Sequence, residues 1–241
     1  MNHSHGPDGS GAADVEDPPT ELASLLQRFG ALDSASVSDA LDGLGLPSGV
    51  SGIGPVWGHP AIVGLAATVE LEPFVSGAAG GVHIASSAIA QAGPTDVLVV
   101  ANQGRTDVSC WGGLLSLGAS LRGVRGVIAD GACRDVGEAR DLGFPVFARG
   151  RIPVTARGRL QQRATGVPVQ VAAREVSPGD VVVADETGVV IVPRDRAIEV
   201  LADAEALARR EQAIAADLRA GVALPLAMRD SRLAGTEETC R

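Results

Sequence analysis

A series of short apolar runs, rich in valine and spaced along most of the chain, constrains the fold more than any other feature. They are AIVGLAATVEL (61–71), DVLVVAN (96–102), VRGVIAD (124–130), FPVFARG (144–150), VPVQVAAREV (167–176) and DVVVADETGVVIVP (180–193). Runs of this length and make-up read as strands, and DETG divides the last one as a hairpin turn would. Helical stretches fall between the earlier runs, over roughly 20–29, 36–44, 82–92, 113–122 and 135–142, with a long one at 195–220. Strand–helix alternation followed by consecutive strands predicts one α/β domain with a mixed, layered sheet. The last helix carries apolar residues at helical spacing and stops at Gly221; packing on its own subunit or on a neighbour would suit it equally. Residues 1–19 and 229–241 read as flexible tails around a single domain at 20–228.

Composition removes several classes of function. Aromatic residues make up 2% of the chain, with no tyrosine, so base-stacking platforms and aromatic cages lack their π faces. A formal charge of −9 opposes a phosphate-tracking surface, and nucleic acid is not expected as a partner. Cys110, Cys133 and Cys240 are odd in number and form no CxxC pair, which argues against a disulfide framework or a zinc site and for a reducing cytoplasm. The first residues lack a signal-peptide core. No apolar run reaches the roughly 18–20 residues that span a bilayer. A cytoplasmic, soluble protein is expected.

The familiar catalytic motifs are missing. There is no GxxxxGK[ST], and GLGLPSGVSGIG (43–54) lacks GxGxxG spacing after a strand, so it reads as a loop. SVSDAL (36–41) reads as a helix start capped by Ser36 or Ser38. A nucleophilic serine would need His59 or His83, the histidines outside the tail that holds His3 and His5, and His83 falls inside an expected helix in a structural role. With so little histidine and paired cysteine, a metal site must be built from oxygen. That favours Mg²⁺ or Mn²⁺, which need only one or two carboxylates.

GACRDVGEA (131–139) offers such carboxylates where a strand turns into a helix. Asp135 as N-cap with Glu138 three residues later approximates a capping box, and both suit the positive end of a helix dipole. A cap explains neither Arg134 nor the upstream segment CWGGLLSLGA (110–119). There Gly112 and Gly113 precede a helical run, leaving the N–H groups of Leu114 and Leu115 to receive an anion, or simply to start a packed helix.

Gly113, twenty intervening residues, Arg134-Asp135, two more and Glu138 resemble the G-X20-R-D-X2-E/D signature of the class II 4-hydroxy-4-methyl-2-oxoglutarate / 4-carboxy-4-hydroxy-2-oxoadipate aldolases, within the RraA-like family. The resemblance extends over about 30–220, through SVSDALDGLG, GRTDVSCWGGLL, GVIADGACRDVGEARDLGFPVFARG, SPGDVVVADETGVVIVP and a late helix carrying Glu211. It implies a layered β/β/α swivelling-domain fold with mixed sheets and a long C-terminal helix, assembled as a homotrimer or a hexamer with sites between subunits. It further implies that Asp135 binds the metal and that Arg134 bonds the keto oxygen of a pyruvyl group. Gly113 would open the site, the Leu114 and Leu115 N–H groups would hold the substrate carboxylate, and Glu138 and a neighbour's Glu211 would order the metal's waters. The chain departs from the pattern at Ala101, where an aspartate is expected, at Thr95 in place of a turn glycine, and in AAREV (172–176), which lacks a glycine.

The activity so implied is metal-dependent cleavage of 4-hydroxy-2-oxo acids to pyruvate through a stabilised enolate, with oxaloacetate decarboxylation reaching the same enolate. The sequence contains no lysine, so an imine-forming aldolase is excluded. The rival from another class is a non-catalytic RraA-type regulator that binds a ribonuclease or another protein. The family's namesake lacks the aspartate after the arginine, whereas Asp135 is present here. The methyltransferase label that many family members carry finds no nucleoside-binding loop.

Overall fold

In the computed structural model, which describes residues 20–75 and 83–229, the apolar runs become strands of one mixed sheet. β1 is Gly54–Pro55, β2 Ile62–Pro73, β3 Asp96–Trp111, β4 Val127–Cys133 and β5 Val146–Arg151. β6 (Leu160–Thr165), β7 (Val169–Val171), β8 (Arg174–Val176), β9 (Val181–Ala184) and β10 (Val189–Val192) follow. From β2 to β5 the strands run parallel, with Leu65 opposite Asp96, Leu98 opposite Val127 and Val127 opposite Val146. β1 closes one edge antiparallel to β5, while β9 and β10 extend the other edge antiparallel from β2. β6 pairs with the far end of β2, and β7 with β8 forms a separate ribbon.

The helices are α1 (Thr20–Phe29), α2 (Ser34–Gly43), α3 (Ser86–Gln91), α4 (Gly113–Leu121), α5 (Val136–Asp141), α6 (Ala197–Arg219) and α7 (Leu224–Ala227). The two-residue period of β3 divides the core. Leu98 and Val100 pack with Ile89, Leu115, Ala119 and Ala139 from α3, α4 and α5. Val97, Val99 and Ala101 face the other way, onto Phe147 and onto Val169, Val171 and Val176 of the ribbon. The result is the layered ribbon–sheet–helix arrangement expected for the β/β/α fold. Covering on both faces is why these strands are almost uninterruptedly apolar. α1, α2 and α6 build a third cluster on β9 and β10, with Leu26, Phe29, Leu41 and Leu201 against Val181, Val183, Val190 and Val192.

Several expectations need correction. Helix α2 is capped by Asp33, whose Oδ1 accepts the Ser36 N–H at 2.7 Å, so neither Ser36 nor Ser38 is its cap. His83 precedes α3 rather than sitting inside it. The run at 96–102 is only the first half of β3, which continues through left-handed Gln103 and Gly104 into CW at 110–111. The run at 167–176 is two strands, folded back at Ala172 (φ 53°). The expected tails, with His3, His5 and Cys240, lie outside the described residues apart from Arg229. Thr95 takes no positive φ, so its turn does not require the glycine that relatives are expected to carry.

Candidate active site at the head of α4

Arg134 and Asp135 occupy the short turn between β4 and α5, and the Arg134 N–H donates to the Trp111 carbonyl at 3.0 Å, fastening that turn to the end of β3. Asp135 stands at the N-cap position of α5, yet its side chain makes no capping bond. Its backbone is left-handed (φ 55°, ψ 38°), whereas a capping side chain needs the extended conformation to reach the helix's own N–H groups. The capping-box reading of Asp135 and Glu138 is therefore incorrect. Instead, Oδ2 accepts the Gly113 N–H at 3.1 Å, at the start of a different helix, and lies 3.2 Å from Arg134 Nε. A left-handed L-residue costs roughly 1–2 kcal/mol, and Asp is among the residues that tolerate it best. The conformation sacrifices the local cap to place a carboxylate at the head of α4.

Glycine at 113 has a steric reason: a Cβ there would collide with the Glu138 carboxylate and stand 3.2 Å from the Asp135 Cβ. At Gly112, a Cβ would stand 3.0 Å from Asp135 Oδ2 and 3.2 Å from Arg134 Nε. The N–H groups of Leu114 and Leu115 come next, in the first turn of α4, where helix geometry provides no acceptor. Trp111 forms the floor. Its Nε1 donates to Ser116 Oγ at 2.9 Å, and its ring stacks on Phe144 with centroids 6.2 Å apart. Beside it lies a recess of about 50 Å³, lined by Gly113, Leu115 and Arg134 together with His83, Ile84 and Ala156.

Gly113, Leu114, Leu115, Arg134, Asp135 and Glu138 thus converge, although 20 residues separate Gly113 from Arg134. Glu211 does not join them within one chain. It is exposed on α6, and among the described residues no hydrogen bond or ion pair links it to Arg134, Asp135 or Glu138. No group of three or more His, Cys, Asp or Glu side chains among the described residues could enclose a metal. Asp135 and Glu138, both exposed beside Gly113, fit only a hard cation that keeps most of its own water. Cys110 and Cys133 are poor nucleophiles, since burial pushes Cys110 up to about 12 and Cys133 up to about 11. His83, Ile84 and Ala156 were not legible as site residues, since they come from segments distant in sequence with no motif of their own.

A family model described as RraA-like: Aldolase/RraA matches residues 34–191. Protein DlpA of Legionella pneumophila is 31% identical over 209 residues, covering 87% of this chain but only 34% of DlpA, so the chain spans about a third of that relative's length. A Halalkalibacterium halodurans protein named "Putative 4-hydroxy-4-methyl-2-oxoglutarate aldolase" is 31% identical over 181 residues, 75% of this chain and 82% of the relative. Among solved structures, Streptomyces coelicolor RraAS2, described as an unusual member of the RNase ES inhibitor RraA protein family, superposes with a TM-score of 0.72 at 30% identity. That match covers 82% of this chain and 96% of RraAS2.

Proposed function

Because the chain belongs to the RraA-like, Aldolase/RraA family, we propose that it is a divalent-metal-dependent aldolase cleaving 4-hydroxy-2-oxo acids to pyruvate. 4-Hydroxy-4-methyl-2-oxoglutarate is the type substrate, and oxaloacetate decarboxylation is a side activity. The observation that carries this reading is Asp135: a carboxylate in a left-handed turn that declines to cap its own helix and is held against Gly113 and Arg134 instead.

Retro-aldol cleavage removes the proton of the C4 hydroxyl and breaks the C3–C4 bond. The electron pair stays on the pyruvyl fragment as an enolate, and protonation at C3 then releases pyruvate. The Leu114 and Leu115 N–H groups, at the positive end of α4, hold the pyruvyl carboxylate. Arg134 donates to the keto oxygen, where negative charge gathers as the bond breaks. Asp135, anchored through Oδ2, keeps Oδ1 for the cation. Mg²⁺ or Mn²⁺ bound there would supply Lewis-acid withdrawal at the keto oxygen and an acidified water. Glu138 orders water beside Gly113, and Glu211 of a neighbouring copy does the same. With no lysine in the chain, no lysine imine competes with this route.

Pyruvate release from 4-hydroxy-4-methyl-2-oxoglutarate and from oxaloacetate, with Mg²⁺ and with EDTA, tests the proposal. We expect EDTA and Asp135→Ala to abolish release, and Arg134→Ala to lower kcat by on the order of 10²–10³, as loss of one preorganised donor does. Release indifferent to both EDTA and Asp135→Ala would falsify the mechanism. The likeness to RraAS2 supports a second reading, a non-catalytic regulator that binds a ribonuclease or another protein. Absence of turnover on both substrates, with a ribonuclease activity lowered by the protein, would favour that reading.

A further inference from the structure

The recess beside Trp111 measures about 50 Å³, against roughly 10–15 Å³ for one water on the same scale. With the pyruvyl end seated there, the rest of the molecule extends along one wall. That wall, His83, Ile84 and Ala156, is shared with a second recess of about 250 Å³. Phe74 and Leu160 give this second space an apolar side, and Arg157 and Gln161 give it a polar one. Among the described residues, none of its lining side chains is a carboxylate. The nearby Glu72 is already engaged, accepting the Gln161 Nε2–H at 2.6 Å. Among the described residues, no ion pair or hydrogen bond occupies the guanidinium of Arg157, whose backbone N–H alone is bonded, to Thr155 Oγ1 at 3.2 Å. His83 uses Nδ1 toward the Ile84 carbonyl at 3.2 Å, leaving Nε2 for a ligand.

We propose that this second recess is a distal subsite that selects substrates bearing a second carboxylate, with Arg157 as the selecting cation and His83 Nε2 as an accompanying hydrogen-bonding group. The inference rests on the aldolase reading for its account of which end enters first. Arg134 lines the first recess and Arg157 the second, with His83, Ile84 and Ala156 common to both, so Arg134 meets the keto oxygen of the pyruvyl end while Arg157 meets the distal carboxylate. Phe74 and Leu160 accommodate an alkyl branch beside the distal carboxylate.

The test uses unreactive ligands, so that it does not depend on turnover. With Mg²⁺ present, calorimetry compares 2-oxoglutarate with 2-oxopentanoate, which share the 2-oxo acid head and differ in the distal carboxylate. The full chain is expected to bind 2-oxoglutarate more tightly by on the order of tenfold to a hundredfold, the usual worth of hydrogen bonds to a charged group. Arg157→Met should remove that preference while leaving 2-oxopentanoate binding unchanged, and Arg157→Lys should restore part of it. Equal affinity for the two ligands in the unaltered protein, or a preference that survives Arg157→Met, overturns the subsite. Retained preference without cleavage of any 4-hydroxy-2-oxo acid overturns the aldolase reading and leaves the subsite standing.

Discussion

At the scale of single residues, Gly113 and Asp135 make the most exacting demands. The Glu138 carboxylate fills the space where a side chain at 113 would begin, so Gly113→Ala must displace Glu138 and crowd Asp135. Because the displaced group is the flexible end of an exposed side chain, the cost falls on the site and not on the fold. We expect a melting temperature close to that of the unaltered protein, together with a loss in kcat/KM of on the order of tenfold or more, corresponding to about 1.4 kcal/mol or more in the transition state. A Gly113→Ala protein with full activity would show that Glu138 need not approach the α4 N-terminus. The sequence made the members of this cluster legible through their spacing, but not their conformation. Asp135 and Glu138 have a cap's residue types at a cap's spacing, and only the left-handed backbone of Asp135 separates the two interpretations. Ile84 and Ala156 carried no signal, because shape, not chemistry, brings them to the recess.

At the scale of elements, the β9–β10 turn illustrates how one carboxylate can join two units. Asp185 accepts bonds from the Ser34 N–H and hydroxyl, both at 2.7 Å, and from the Thr187 N–H at 2.8 Å, tying the start of α2 to the hairpin. Partial burial alone would raise its pKa, but the bonds from Ser34, Thr187 and Gly188 outweigh it and hold Asp185 below the usual carboxylate range. A depressed folded-state value means that the stabilisation is present above the unfolded pKa, near 3.9, and is lost as pH falls through the lower folded value. Asp185→Asn should therefore cost about 1 kcal/mol at neutral pH, discounted for partial exposure, and the gap from the unaltered protein should close below about pH 4. Urea melts at several pH values measure this, and a gap independent of pH would contradict it. The hairpin itself was readable from DETG, since a polar break between valine runs permits little else. β6 was not, because LQQRAT (160–165) is polar and only Leu160 is buried. The second half of β3 was hidden for a related reason: its exposed polar middle reads as loop.

At the scale of the whole molecule, one surface is left unexplained by a lone chain. Leu114, Leu117 and Leu121 fall three and four residues apart along α4 and are 81%, 40% and 79% exposed, forming an apolar stripe that begins at the proposed carboxylate-binding turn. α4 already buries Leu115 and Ala119 on the sheet, so the stripe is its second face, left uncovered among the described residues. A trimer or hexamer of the kind the family resemblance implies would bury this face and bring a neighbour's Glu211 toward the site, and activity and assembly should then fail together. Leu121→Glu puts a charge into that stripe at a residue 79% exposed, so its effect on folding should stay within about 0.5 kcal/mol. Light scattering should report a shift from oligomer to monomer, with pyruvate formation falling by on the order of tenfold or more, since each remaining site would be open to water and short of one carboxylate. Leu121 lies two turns beyond Gly113, so a direct effect on Arg134 or Asp135 would not account for that loss. A fully active Leu121→Glu monomer would confine the whole reaction to one chain and remove Glu211 from it.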